Sequence, residues 1–295
     1  MSRPAAVGCL LLTTVIWGFA FVAQKSAAEE MGALTFVSAR YLLAGVCILP
    51  FALAEYRGRA SEIAPRDWKL VLLITIIFFT GTWLQQVGLK TTSATNAGFL
   101  TGLYVFFVPL ILLIGFREKP HPAVWVCAPL ALVGLYFLNG GIDRLRIGDA
   151  LIIACAVCWA GHILLLGYLA RVTALPVFVA AFCFTGAGVL ATPGALVFET
   201  PHFSAIVHGW FPIVYSSVLS TAVAFSLQAL GQQHLPSANA AIILSAESLF
   251  AALGGALFLG ERLTAIGYAG AGLIFAAIFL VEAVPAFAAR AVRGA

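Results

Sequence analysis

The chain of 295 residues is 62% hydrophobic and only 9% charged, with 16 Lys and Arg against 12 Asp and Glu, a net charge of +4. Soluble domains carry roughly 25% charged residues, so this composition excludes a soluble globular protein and indicates a chain dissolved in lipid. The small basic excess belongs to loops between apolar segments and signals no nucleic-acid partner.

An apolar run of about 20 residues crosses the hydrocarbon as a helix, and ten such runs follow one another. The first, at about 5 to 25, contains Trp17; its Arg3 and apolar run mimic a signal peptide, but its match to the sixth span argues that it stays. The second, 34 to 54, holds Arg40 some six residues from its start, where a long side chain is expected to snorkel to the interface. If Arg40 instead faces a cavity, its fixed charge suits a substrate carboxylate; Tyr41 beside it is a cavity candidate. The loop Glu55 to Trp68 is the longest, leaving no room for a soluble domain. The third span, 69 to 89, carries Trp83, Gln85 and Gln86, and the fourth, 95 to 115, carries Asn96, Thr101, Tyr104 and a Gly98-Gly102 pair suited to close helix packing. The fifth runs from 122 to 139.

The sixth span, 148 to 168, contains Trp159 and His162, together with Cys155 and Cys158. Those cysteines lie one turn apart with no second pair nearby, so packing rather than metal binding or redox chemistry explains them. The seventh, eighth, ninth and tenth spans fall at 175 to 197, 209 to 230, 238 to 259 and 264 to 284. Gln228 lies in the eighth; Asn239, Ser245 and Glu247 lie in the ninth, and Glu282 closes the tenth as an interface residue. Asn96 and Asn239, at the starts of their spans, are expected to cap them. Pro109, Pro129 and Pro193 sit inside spans and are expected to bend them.

The second half repeats the first. Asn96 matches Asn239, Gln85 matches Gln228, and Glu118-Lys119 matches Glu261-Arg262, all at an offset of 143 residues, with Trp17 and Trp159 almost in step. Each unit has five helices, an odd number, so the second enters the bilayer upside down relative to the first. The expected fold is all-α integral membrane: ten transmembrane helices as two inverted five-helix repeats, residues 1–145 and 146–295. Lys and Arg favour the face that holds both termini, through Arg3, Arg57, Arg59, Arg66, Lys69, Arg117, Lys119, Arg171, Arg290 and Arg293, which places both termini in the cytoplasm.

The segment Glu247 to Thr264, the run ending in Arg117-Glu118-Lys119, the Trp17 to Phe19 tripeptide and Ala39 to Gly45 together resemble the drug/metabolite transporter superfamily, specifically its EamA-type branch. The resemblance covers essentially the whole chain. It implies a ten-helix carrier of the bacterial inner membrane that exports amino acids, other metabolites or cationic drugs. Many members have Pro after the ninth-span Glu; Ser248 stands here, which is expected to remove a helix kink.

Few ionisable groups lie in the spans, and no phosphate-binding loop of the Walker type is present, so transport is expected to run on a gradient or on another subunit. Glu247 falls near the bilayer centre, where a charge costs roughly 2.5 to 3.5 kcal/mol on insertion scales. It is the candidate for a substrate amine contact or for proton coupling, with hydrogen-bonded helix packing as the alternative. Its repeat counterpart is Tyr104. The candidate substrate-binding or cavity residues are Trp17, Tyr41, Trp83, Gln85, Thr101, Tyr104, Trp159, His162, Gln228, Ser245 and Glu247, with the third-fourth and eighth-ninth pairs as walls. No metal, cofactor or catalytic residue is called for. The expected partners are a small-molecule substrate, the bilayer and protons. A secondary transporter of amino acids, aromatic or apolar ones favoured, is the leading expectation. A multidrug extruder is the alternative, and a lipid-processing enzyme built on His162 and Glu247 a distant one; a non-transporting sensor lacks a loop or tail large enough to signal.

Overall fold

The computed structural model describes residues 1–58, 63–139, 146–262 and 264–293, with side chains to residue 284. Arg59, Glu62 and Arg144 lie outside the described residues, as do the side chains of Arg290 and Arg293. The described chain is helical throughout. Ten apolar helices follow in order: α1 (Arg3–Glu30), α2 (Ala33–Arg57), α3 (Pro65–Gly88), α4 (Ala94–Gly115), α5 (Pro122–Leu138), α6 (Ile147–Thr173), α7 (Pro176–Glu199), α8 (Trp210–Gln232), α9 (Ser237–Phe258) and α10 (Ala265–Arg293). All but α5, at 17 residues, are long enough to cross a bilayer unaided. A short helix, Phe203–His208, lies between α7 and α8.

Helices meet in a repeat-symmetric pattern. α2 packs on α7 and α5 on α10, each against its own counterpart, while α1 packs on α8 and α9, and α6 on α3 and α4. Such an arrangement surrounds a centre with helices from both halves. Leu, Ile, Val and Phe cover the lipid-facing rim, as with Val46, Phe51, Ile76 and Ile114, each more than half exposed.

Both α4 and α9 are broken in mid-span. α4 comprises Ala94–Thr101 and Tyr104–Gly115, and α9 comprises Ser237–Leu244 and Glu247–Phe258. The junctions Gly102-Leu103 and Ser245-Ala246 are repeat counterparts, and tight three-residue bonds run through both, from Val105 N to Gly102 O and from Ser248 N to Ser245 O. Without the proline that many family members carry there, the ninth span is thus still interrupted just before Ser248. Ser248 Oγ instead donates to Gly98 O of α4 at 2.7 Å, tying the two broken helices together next to their breaks. Gly98 is required there: a Cβ would lie 2.6 Å from Ala251 Cβ. In α8, Tyr215–Val223 is wound as a π-helix, a form found frequently at functional sites.

Asn96 and Asn239 are not caps. Ser93 Oγ accepts from Asn96 N and caps α4, while the Asn96 side chain donates to Thr92 and Asp149 and accepts from Asn139. Asn239 donates to Glu282, which also holds Arg3 at 2.9 Å. This cluster marks the face on which the chain termini lie, called here the terminal face.

Candidate functional site

A central cavity of about 40 Å³ lies among α1, α2, α3, α4, α6, α8 and α9. One water needs roughly 10 to 15 Å³ by this measure, so the space holds a few waters and is too tight for a metabolite. From the expected residues the structure gathers Trp17, Tyr41, Gln85, Thr101, Tyr104, Trp159, Gln228 and Glu247 on its wall. The wall thus extends well beyond the expected third-fourth and eighth-ninth pairs.

The helix breaks position its chemistry. Tyr104 and Glu247 open the second halves of α4 and α9, so each side chain starts a half-helix in mid-span, beside the central cavity that both residues line. Glu247 is 3% exposed and makes no ion pair among the described residues. Neither its Oε1 nor the hydroxyl of Tyr104, which lines the same cavity, has a hydrogen-bond partner among the described residues. The Thr101 hydroxyl and both polar atoms of the Gln228 amide are likewise buried without partners among the described residues. Buried polar groups are normally satisfied, so such a concentration at one cavity marks a surface made for something other than the protein itself.

Arg40 corrects the expectation of snorkelling. It is 4% exposed and lines the same cavity. Its Nε donates to Thr221 Oγ1 at 2.9 Å, Nη1 to Gln24 Oε1 at 3.0 Å and Nη2 to Ser220 Oγ at 2.9 Å. No carboxylate pairs with it among the described residues. Three of the five guanidinium donors are used, leaving two. The π-wound segment of α8 supplies this cradle: Ser220 and Thr221 both face Arg40, and Ser220 O accepts from Trp17 Nε1 at 2.8 Å.

Aromatic rings form the remaining wall. Trp17 and Trp159 each pack against Phe225, at 4.6 and 5.8 Å between centroids, and Trp159 Nε1 donates to Gln85 Oε1 at 2.8 Å. His162 lies behind this wall, 1% exposed, with its ring edge-on to those of Trp159 and Phe225. Trp83 does not reach the cavity. It is 39% exposed on the outer surface and stacks on Phe79, because its position on α3 faces away from α6. Ser245 is also absent from the wall; its hydroxyl is spent on Ile242 O at the α9 break, at 2.7 Å. Sequence reasoning missed Phe21, Gln24, Thr82, Ile163, Ser220 and Phe225 as lining residues. Gln24 was findable, as an amide seven residues beyond Trp17.

From the terminal face a second, larger cavity of about 810 Å³ reaches inward, lined by Glu118, Lys119, His121, Arg171, Ser237 and Ala238 among others. Ile163 faces the central cavity and Leu164 this vestibule, so the two spaces approach each other across α6.

The EamA-like transporter family profile matches the chain twice, over residues 5–140 and 146–283. An uncharacterized transporter of Archaeoglobus fulgidus is 33% identical over 92% of this chain and 84% of its own length. YwfM, an uncharacterized transporter of Bacillus subtilis, is 25% identical over 94% of this chain and 93% of its own. The threonine/homoserine exporter RhtA of Escherichia coli is 34% identical across 58% of each chain. A crystal structure at 19% identity superimposes with a TM-score of 0.78, covering 96% of this chain and 98% of the other, which shows a shared fold. The family and these relatives are transporters rather than enzymes, so the lipid-processing alternative falls away. The chain belongs to the EamA-like transporter family and is a multi-pass membrane transporter built from two helical repeats.

Proposed function

We propose that the protein is a secondary carrier exporting amino acids or closely related zwitterions across the bacterial inner membrane by alternating access. Its halves divide near residue 145, and both termini are cytoplasmic. One observation carries the reading: a buried Arg40 and a buried Glu247, of opposite charge, line one cavity, and neither has an ionic partner among the described residues. Removing an ion from water costs several kcal/mol unless something compensates it. A zwitterion, admitted when the cavity widens during the transport cycle, compensates both at once, its carboxylate on the two remaining Arg40 donors and its ammonium on Glu247. Trp17, Tyr41, Trp159 and Phe225 offer flat apolar surface to the side chain, which favours aromatic or apolar amino acids over sugars. The partial match to a threonine/homoserine exporter supports the amino-acid class.

A cationic drug extruder would use Glu247 equally well but would place its cargo's charge beside Arg40, a repulsion that disfavours it. Counterflow in proteoliposomes separates the readings: a panel of labelled amino acids, their decarboxylated amines and cationic dyes is offered to the purified protein. Exchange of amino acids, lost when the carboxylate is removed, is the expected result. Exchange of dyes and amines alone would refute the zwitterion reading.

A further inference from the structure

Carboxylates close helix ends throughout this fold. Glu199, ending α7, accepts from Leu34 N at 3.0 Å, Thr35 N at 2.7 Å and Thr35 Oγ1 at 2.9 Å, capping α2. At the opposite face Glu55 of α2 accepts from Phe178 N of α7 at 2.8 Å. The α2–α7 pair is thus clasped at both faces.

The α4–α9 pair is clasped at one. On the face opposite the termini, Glu261, just beyond α9, accepts from Thr95 N and Thr95 Oγ1 and so caps α4. The repeat counterparts are Glu118, just beyond α4, and Ala238, in the first turn of α9. Both glutamates are held by the same turn: Glu261 N donates to Gly255 O and Glu118 N to Leu112 O, each at 3.0 Å, and Leu112 is the counterpart of Gly255. The preceding residue has positive φ in both, 69° at Gly260 and 55° at Arg117. Glycine adopts that conformation freely, whereas at Arg117 it is strained, so the first-half turn holds this shape against a local cost. Yet no bond from Ser237, Ala238 or Asn239 reaches Glu118 among the described residues, and α9 begins at Ser237 with no side-chain cap. Between the glutamate and that helix end lies the 810 Å³ vestibule, which both line.

We propose that Glu118 is a gating residue: when the vestibule closes, its carboxylate caps α9 at Ala238 while the Glu261 cap on α4 opens, so that the two repeat-related latches alternate. The present structure is the state with the Glu261 latch made and the Glu118 latch released. An N-terminal carboxylate cap shifts a two-state equilibrium by about fivefold.

The test uses full-length protein in nanodiscs with its six cysteines replaced and one reporter, Leu165→Cys, in the vestibule wall. The rate of maleimide labelling reads how often the vestibule is open. Glu261→Gln is expected to slow labelling by up to about fivefold, Glu118→Gln to leave it equal or faster, and the double variant to fall between. Unchanged labelling in Glu261→Gln, or a double variant no faster than Glu261→Gln, overturns the proposal. As a second readout needing neither carboxylate nor substrate, Glu118→Cys paired with Ala238→Cys in the cysteine-free chain is oxidised and examined by mass spectrometry. An intramolecular disulfide is expected; its absence overturns the alternation.

Discussion

If Arg40 receives the substrate carboxylate, replacing it must damage binding selectively, not merely weaken the fold. The guanidinium has two donors beyond those bonded to Gln24, Ser220 and Thr221. A hydrogen bond to a charged group contributes about 1.5 to 3 kcal/mol, so two of them are worth roughly 3 kcal/mol or more, about a hundredfold in affinity. Arg40→Lys keeps the charge and loses the fork. The assay is counterflow with an amino acid and its matching amino alcohol. Wild type is expected to discriminate between them by about a hundredfold, and Arg40→Lys to lose most of that ratio by weakening only the amino acid. Equal losses for both compounds would show that Arg40 holds α2 to α8 and does not touch substrate.

Trp83→Ala is expected to leave counterflow kinetics unchanged, since the ring lies on the outer surface against Phe79; a large change in KM would place it in the transport path after all. Gly98→Val forces a Cβ against Ala251, and overpacking of this kind costs about 1 to 3 kcal/mol, visible as a lower midpoint in thermal unfolding; an unchanged midpoint would contradict the close α4–α9 crossing. Glu199→Ala removes three bonds at the start of α2 and is expected to lower stability by about 1 to 2 kcal/mol, with no loss indicating that water replaces the cap fully.

The spans were legible in the sequence because the bilayer sets their length and polarity. The pairing of Tyr104 with Glu247 was legible too, because one offset ties the halves together. Azimuth was not: depth along α2 can be counted, but whether Arg40 points to lipid or centre depends on α1 and α8, which supply Gln24, Ser220 and Thr221. Trp83 and Trp159 differed in the same way, both within spans but one facing outward and the other the cavity. The break in α9 escaped notice because no proline announces it; the Ser248 bond to Gly98 O anchors its far side from another helix. The π-wound stretch of α8 shifts the register by which Ser220 and Phe225 reach the cavity, and nothing local in Tyr215–Val223 reveals that winding.

Transport as proposed depends on Glu247 acting on cargo or protons from inside the membrane. Uptake of a labelled amino-acid panel into proteoliposomes, with and without an imposed proton gradient, in wild type and Glu247→Gln, tests this most directly. Gradient-driven accumulation in wild type that the variant loses is the predicted result. Wild-type flux that runs only downhill and is unaffected by Glu247→Gln would return the residue to a structural role and contradict the account.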